Sequence, residues 1–167
     1  MFEFPNPVNE LAARTVAAGV LAMSVVILVL SLTAGAGWLW LLPIVVYGFF
    51  ARVLTGPTLS PLGQIATRVV APHLGPAKPV AGPPKRFAQA IGAVVTATAL
   101  GFLAAGHDTV TQALLGVMIV AAGLESIFAY CVGCKVFAVL MRLGLVPETT
   151  CEACANIALR PPQPSRV

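Results

Sequence analysis

The stretch TVAAGVLAMSVVILVLSLTAGAGWLWLLPIVVYGFFA, residues 15–51, contains no Asp, Glu, Lys, Arg or His. It is well over the roughly 20 apolar residues that a helix needs to cross the hydrocarbon core of a bilayer. Within it, the segment TAGAG at residues 33–37 is small and glycine-rich, which is typical of a turn. The stretch therefore predicts two membrane-spanning helices joined by a short connection.

The rest of the chain has the same character. Of its 167 residues, 58% are hydrophobic and 10% are charged, and the mean hydropathy is +0.91, outside the usual balance of a soluble globular domain. The apolar runs are continuous rather than alternating, which favours helices over a barrel. We therefore predict an all-α polytopic membrane protein, a four-transmembrane-helix bundle within residues 1–140, followed by a cytoplasmic tail at 141–167. The predicted helices comprise residues 15–33, 38–54, 87–105 and 110–140.

The basic residues predict the orientation. All ten lie near the N-terminus, in the long middle connection or towards the C-terminus, and the two short connections have none. By the positive-inside rule, both termini and the middle connection are cytoplasmic. The net charge of +4 then reflects contact with the lipid bilayer rather than with nucleic acid, because no basic face interleaved with aromatic residues is present.

The middle connection predicts a short interfacial helix. Ser60 followed by Pro61 is typical of an N-cap and a first helical residue. Leu62, Ile65, Ala66 and Val69 would then share one face, as in a helix that lies on a membrane surface. Proline and glycine dominate after that helix, which predicts a stiff, unpaired linker.

The four cysteines form two CxxC pairs, Cys131 with Cys134 and Cys151 with Cys154. A cysteine in a membrane helix is usually a small packing residue, but two such pairs are poorly explained by packing. On the fourth predicted helix, Lys135 shares a face with Cys131 and Cys134, and its ammonium would stabilise a reactive thiolate. The negative end of that helix would oppose the thiolate.

A metal site is the alternative. The spacing of Cys131, Cys134, Cys151 and Cys154 falls within the range of four-thiolate zinc sites. Zinc would clamp the tail to the fourth helix, and the protein would then be a non-enzymatic accessory or structural membrane protein. An iron–sulfur cluster has the same ligands but is less favoured.

Glu125 is an acid inside a predicted spanning helix, which makes it a candidate functional residue. It could carry protons, contact a quinone head group, pair with Arg52, or act as a neutral hydrogen-bonding contact between helices. On a regular helix it would lie about 120° around the axis from Cys131, away from that thiol.

A resemblance to a known family supports the sulfur hypothesis. The segments VNELAARTVA, RVLTGPTLSPLGQIATRVVAPHLG, GPPKRFAQAIG and LESIFAYCVGCKVF resemble the bacterial membrane family of domain of unknown function 4395. Members tend to occur beside thioredoxin-like proteins and sulfurtransferases. The resemblance implies a bacterial inner (plasma) membrane location, traffic of thiols or sulfur, and functional roles for Glu125, Cys131, Cys134 and Lys135.

The sequence and this resemblance together predict a thiol–disulfide or sulfur relay with a thioredoxin-like partner. Cys131 would attack the partner disulfide, Cys134 would resolve the mixed disulfide, and the tail pair would pass equivalents on. A P-loop, a dinucleotide fingerprint and a hydrolase triad are all missing from the sequence. A membrane complex and a homo-oligomer both remain open alternatives.

Overall fold

Four long helices form the body of the structure, a computed structural model that describes residues 4–146. The tail cysteines Cys151 and Cys154 lie outside the described residues. The elements are, in chain order, β1 (Val8–Asn9), α1 (Glu10–Thr33), a 3-10 helix (Ala36–Leu41), α2 (Leu42–Thr55), α3 (Pro61–Gln64), a π-helical segment (Ile65–Val70), α4 (Ala71–His73), β2 (Pro79–Val80), α5 (Gly82–Ala104), α6 (Asp108–Phe128) and α7 (Val132–Arg142).

Four of these segments are long and apolar enough to cross a membrane: α1, the 3-10 helix together with α2, α5 and α6. This confirms the predicted all-α fold with four such helices. α1 packs on α6, α2 packs on α5, and α5 also packs on α6. The fully buried centre is mainly aliphatic, whereas many large apolar side chains face outward, as expected where lipid is the solvent. Examples of the outward-facing side chains are Val26, Leu32, Val94 and Val120.

The last predicted helix, residues 110–140, is wrong as a single element. α6 ends at Phe128 because Ala129 adopts a left-handed conformation with φ of 55°, which is a common way to end a helix. The backbone N–H of Tyr130 donates to the carbonyl of Leu124 and closes the end. The chain then starts a separate helix, α7, which packs against α5.

The predicted interfacial helix is present but is less regular than expected. Ser60 caps it, since its Oγ accepts the N–H of Gly63 at 3.2 Å, and Pro61 is its first residue. Leu62 contacts Gly19 of α1 closely, and Ala66 is fully buried. Ile65 and Val69 are exposed. The predicted single apolar face is therefore split, because the wide turns of the π-helical segment rotate these side chains apart.

The linker after the interfacial helix is paired, contrary to prediction. β1 and β2 form an antiparallel pair in which Val8 lies opposite Val80. Asn9 also caps α1, accepting the N–H of Leu11 at 3.1 Å. This pairing holds the start of α1 next to the start of α5, so both begin at the same end of the bundle.

Candidate dithiol site

Cys131 is the N-cap of α7. Its Sγ accepts the backbone N–H of Cys134 at 3.3 Å, as a serine or aspartate oxygen does at other helix starts. The prediction that the pair lies at a helix C-terminus is therefore wrong, because α6 ends before the cysteines begin. The positive end of the α7 dipole now favours a thiolate at Cys131.

The two sulfur atoms are in direct contact. The Cys134 thiol donates to the Cys131 Sγ, and both cysteines are free thiols. Cys131 is only 7% exposed, whereas Cys134 is half-buried. The sequence-predicted pair thus forms one compact dithiol with a buried and a more accessible sulfur.

The two thiols differ in acidity. The hydrogen bond from the Cys134 thiol lowers the pKa of Cys131, and the charge of Lys85 and the Cys134 backbone N–H act in the same direction. Burial and the negative charge of Glu125 oppose this shift without reversing it. The same thiol hydrogen bond, together with burial, raises the pKa of Cys134. Cys131 is therefore the sulfur that ionises first, and Cys134 retains the shared proton.

Lys85, on the first turn of α5, is the cation of this site. Its Nζ donates to the carboxylate of Glu125 on α6 at 2.6 Å, and both side chains are largely buried. Lys85 was not among the site residues predicted from the sequence. The available signal was that a buried carboxylate needs a cation at the same end of the bundle, and Lys85 lies two residues before the predicted helix 87–105 at that end.

The other two predicted cations lie elsewhere. The ammonium of Lys135 lies 5.6 Å from the centre of the Tyr130 ring, on the exposed side of α7. The suggested pairing of Glu125 with Arg52 is wrong, because Arg52 donates to Gln89 and Ser60. The structure brings Glu125, Cys131 and Cys134 together with Lys85, while Lys135 points to Tyr130.

The position of α7 depends on a close approach to α5. A Cβ atom on Gly133, between the two cysteines, would lie 2.6 Å from both the Cα and the Cβ of Ala88. Phe137, one turn further along α7, packs on Phe87 with ring centres 5.5 Å apart. Only glycine permits this contact, so Gly133 helps to hold the dithiol against α5.

An apolar cavity of about 240 Å³ adjoins the dithiol, between α1, α2, α5, α6 and α7. Its lining is mostly aliphatic, including Val20, Val95 and Met118. Glu125 and Cys131 also line it. Cys131 therefore borders an open volume that Cys134 does not line.

The dithiol lies at the basic end of the bundle. Arg14 of α1 donates from its guanidinium to the carbonyls of Ser126 and Ile127, at 3.0 Å and 3.2 Å, and so caps the end of α6. Arg86, beside Lys85, donates to the carbonyl of Val53 near the end of α2.

Within residues 4–146, no group of three or more His, Cys, Asp or Glu side chains is placed to hold a metal ion. The predicted zinc site needs two ligands, Cys151 and Cys154, that lie outside the described residues. The zinc hypothesis therefore stays a prediction.

Comparison with known proteins gives one match. The family model described as Domain of unknown function (DUF4395) matches residues 8–142, which include every described residue of the dithiol site. No curated protein and no solved structure matches the chain significantly. Because the family model covers most of the sequence, the chain belongs to the family of domain of unknown function DUF4395.

Proposed function

We propose that the protein is an integral membrane thiol–disulfide or sulfur relay that uses Cys131 and Cys134. The observation that carries the proposal is the direct contact between two free thiols whose pKa values shift in opposite directions. A dithiol that exchanges with disulfides needs one sulfur as a thiolate and a second as a proton-bearing neighbour.

Thiol–disulfide exchange needs only the Cys131–Cys134 dithiol and a partner disulfide. The Cys131 thiolate attacks one sulfur of a partner disulfide, and the partner's other sulfur leaves as a thiolate. Cys134 then loses its proton and attacks Cys131 in the mixed disulfide, which releases the second partner thiolate. The partner gains two electrons and becomes a dithiol, and the Cys131–Cys134 pair becomes a disulfide. In the sulfur-relay form, the Cys131 thiolate attacks the outer sulfur of a persulfide on the partner, the partner's cysteine leaves as a thiolate, and Cys131 then carries the persulfide.

Access to Cys131 is the demanding step, because this sulfur is 7% exposed. The segment that precedes it is open to solvent or lipid, with Phe128 72% and Tyr130 47% exposed. We expect a partner to approach on the side of Cys134 and of this segment, which can move without disturbing the four long helices. The partner we propose is a thioredoxin-like protein or a sulfurtransferase, since these present a disulfide or a persulfide sulfur to a thiolate.

The cavity beside Cys131 could hold a second electron acceptor for the dithiol. The exchange with the partner is reversible, and in the reverse direction a partner dithiol reduces the Cys131–Cys134 disulfide, so the electrons must then leave through another acceptor. A quinone ring that enters the cavity from lipid would meet Cys131 there. Formation of the Cys131–Cys134 disulfide releases two electrons and two protons, which convert a quinone to a quinol.

The basic residues support a location. Arg14, Arg52, Lys85 and Arg86 all lie at the end of the bundle that carries the dithiol. Under the positive-inside rule this end faces the cytoplasm, with both termini, in a bacterial inner membrane. Labelling of intact cells with an impermeant maleimide tests this, and reaction of Cys134 from outside would contradict it.

Trapping of mixed disulfides tests the function itself. We expect a Cys134→Ser variant to accumulate a mixed disulfide with a thioredoxin-like disulfide, because the resolving thiol is gone. A Cys131→Ser variant should trap none. Both variants are made with Cys151 and Cys154 replaced by alanine, so that the tail thiols cannot substitute.

Metal analysis and thiol titration of the wild-type protein complete the test. The relay predicts metal-free protein whose Cys131 and Cys134 alternate between two free thiols and a disulfide. Stoichiometric zinc with all four thiols protected would support the zinc clamp and overturn the relay.

A further inference from the structure

Arg52 is a buried cation without a carboxylate partner in the described part of the chain. Its side chain is 5% exposed, and it lies in the last turn of α2. The ion pair recorded within residues 4–146 joins Lys85 to Glu125, so it leaves Arg52 uncompensated. A buried charge of this kind is costly unless another group neutralises it.

The hydrogen bonds of Arg52 are incomplete. Its Nε donates to the amide oxygen of Gln89 at 2.8 Å, and its Nη1 donates to the Oγ of Ser60 at 3.3 Å. The guanidinium carbon lies 4.7 Å from the centre of the Phe49 ring, which adds a cation–π contact. The remaining nitrogen, Nη2, is buried and has no partner. A native structure rarely leaves two such N–H donors unused unless a bound ion or water takes them.

The Arg52 side chain also lines a cavity. It measures about 70 Å³ and is lined by Arg52, Lys85 and Gln89, together with residues of α1 and of the interfacial helix. Glu10, Asp108 and Glu125, the acidic residues of the described range, do not line it. At roughly 10–15 Å³ for each water, the cavity has room for about five waters, which is also the size of a compact anion.

We propose that this cavity binds a small tetrahedral oxyanion of the phosphate or sulfate type, held by Arg52. A guanidinium with free N–H donors matches the oxygens of such an anion, and its charge neutralises the anion. The ammonium of Lys85, which also lines the cavity, is already paired with Glu125, so Arg52 is the uncompensated cation among the described residues of the wall. Phe49 and Gln89 fix the orientation of its guanidinium. The anion could be free in solution or could be the phosphate of a lipid head group, since both present the same oxygens.

The site is separate from the dithiol but adjoins it. Gln89 and Val16 line both this cavity and the larger cavity next to Cys131. The inference does not depend on the proposed relay, because anion binding requires neither sulfur. A protein without thiol exchange could still bind the anion, and the two proposals can therefore fail independently.

Direct binding to the purified, delipidated full-length protein in a neutral detergent tests the proposal. We expect radiolabelled sulfate and phosphate, at constant ionic strength set with chloride, to bind saturably and to raise the unfolding temperature. Binding of free ions would identify a soluble anion. Saturable stabilisation by added phosphatidylglycerol, with no effect of free ions, would identify a lipid head group.

Two substitutions decide whether Arg52 is the ligand. Arg52→Gln should weaken binding by about tenfold or more, and Arg52→Lys should weaken it less because the charge remains. Arg68→Gln is the matched control, since Arg68 is exposed on the interfacial helix and should leave binding unchanged. Equal binding by Arg52→Gln and wild-type protein would overturn the proposal.

The wild-type measurement stands even if Arg52→Gln does not fold. Absence of saturable binding to wild-type protein in both the free-ion and the lipid experiment would also overturn the proposal. That result would point to a carboxylate of the chain itself as the neutralising group. The carboxylates outside the described residues are Glu3, Glu148 and Glu152.

Discussion

The ammonium of Lys85, on α5, donates to the carboxylate of Glu125, on α6, across 2.6 Å at the point where α6 is about to end. These two charges act on the Cys131 thiol in opposite directions, since Lys85 lowers its pKa and Glu125 raises it. The ion pair thus joins two spanning helices and also sets the charge around the dithiol. Substitution of each residue in turn can distinguish their effects, because Lys85 favours the Cys131 thiolate and Glu125 does not.

Lys85→Met should make Cys131 less reactive. Loss of the cation removes one of the effects that lower the Cys131 pKa, so the pH at which half of this thiol is ionised moves upward. We expect the rate of its alkylation by iodoacetamide at pH 7 to fall by about two- to fivefold, the effect of one partly screened charge. Peptide mass spectrometry of protein lacking Cys151 and Cys154 measures the rate at Cys131 alone.

Lys135→Met is the matched control for Lys85→Met. Its ammonium lies over the Tyr130 ring rather than against the dithiol, so the reactivity of Cys131 should not change. If Lys135→Met slows alkylation and Lys85→Met does not, the residue next to the cysteines in sequence is the relevant cation.

Glu125→Gln should have the opposite effect to Lys85→Met and speed up the alkylation of Cys131 at pH 7, because the Glu125 charge raises the pKa of that thiol.

Cys134→Ala and Cys134→Ser should differ from each other. The Cys134 side chain donates the hydrogen bond that contributes most to the lowered pKa of Cys131. A serine hydroxyl can still donate this bond, whereas alanine cannot. We therefore expect the pH profile of Cys131 alkylation to lie at higher pH in the alanine variant. Alkylation near neutral pH should be about tenfold slower in that variant, since a hydrogen bond to a charged group contributes roughly 1.5–3 kcal/mol.

Superimposable pH profiles for these two variants would contradict the proposed asymmetry. Both variants retain the Cys134 backbone N–H, which donates to the Cys131 sulfur in the wild-type protein. The helix start is therefore the same in each, and the comparison isolates the side-chain hydrogen bond.

The four spans were predictable because they depend on long gaps between charges, and each gap is visible in the sequence. The cap at Ser60 was predictable for a similar reason, since it depends on two adjacent residues. The break at Ala129 was not, because alanine favours helix and left-handed alanine is costly. Tertiary packing overrides that preference here: Gly133 allows α7 to lie against α5, and Arg14 takes up the carbonyls at the end of α6.

The cation of the site, Lys85, could not be identified from the sequence because it is far along the chain from Glu125 and the cysteines. Lys85 and Glu125 are separated by 40 positions, and nothing local marks them as partners. Lys135 was the natural candidate because it directly follows Cys134. Lys135 would share a helix face with Cys131 only on a continuous helix. Because the helix breaks, Cys131 lies before the first residue of α7 and this shared face is lost.

Gly133→Ala should destabilise the protein and disturb the dithiol. The added Cβ would lie 2.6 Å from two atoms of Ala88, one of them in the backbone, so α7 must shift away from α5. We expect a loss of about 1–3 kcal/mol in the free energy of unfolding, as for other overpacked contacts. Thermal unfolding of the detergent-purified protein measures the loss, and alkylation of Cys131 should become faster as its burial decreases.

Gly116→Ala serves as the control for Gly133→Ala. Gly116 lies within α6, and a Cβ added there would meet no atom within 4 Å. Alanine favours helix over glycine by about 1 kcal/mol, so this variant should be as stable as the wild type or slightly more stable. Equal effects of the two substitutions would show that helix propensity, and not the contact with Ala88, determines the outcome.

Arg14→Gln should make the dithiol more accessible without unfolding the bundle. The Arg14 guanidinium donates to the carbonyls of Ser126 and Ile127, and its loss leaves the last turn of α6 without these bonds. The segment that leads to Cys131 should then open more often, so alkylation of Cys131 should be about tenfold or more faster, since each charged hydrogen bond contributes roughly 1.5–3 kcal/mol. Arg86→Gln provides the comparison, because Arg86 likewise donates to a carbonyl near a helix end, that of Val53, but on α2, which does not lead to the thiols. An equal acceleration in both variants would mean that the bundle as a whole has loosened and that Arg14 does not specifically hold the end of α6.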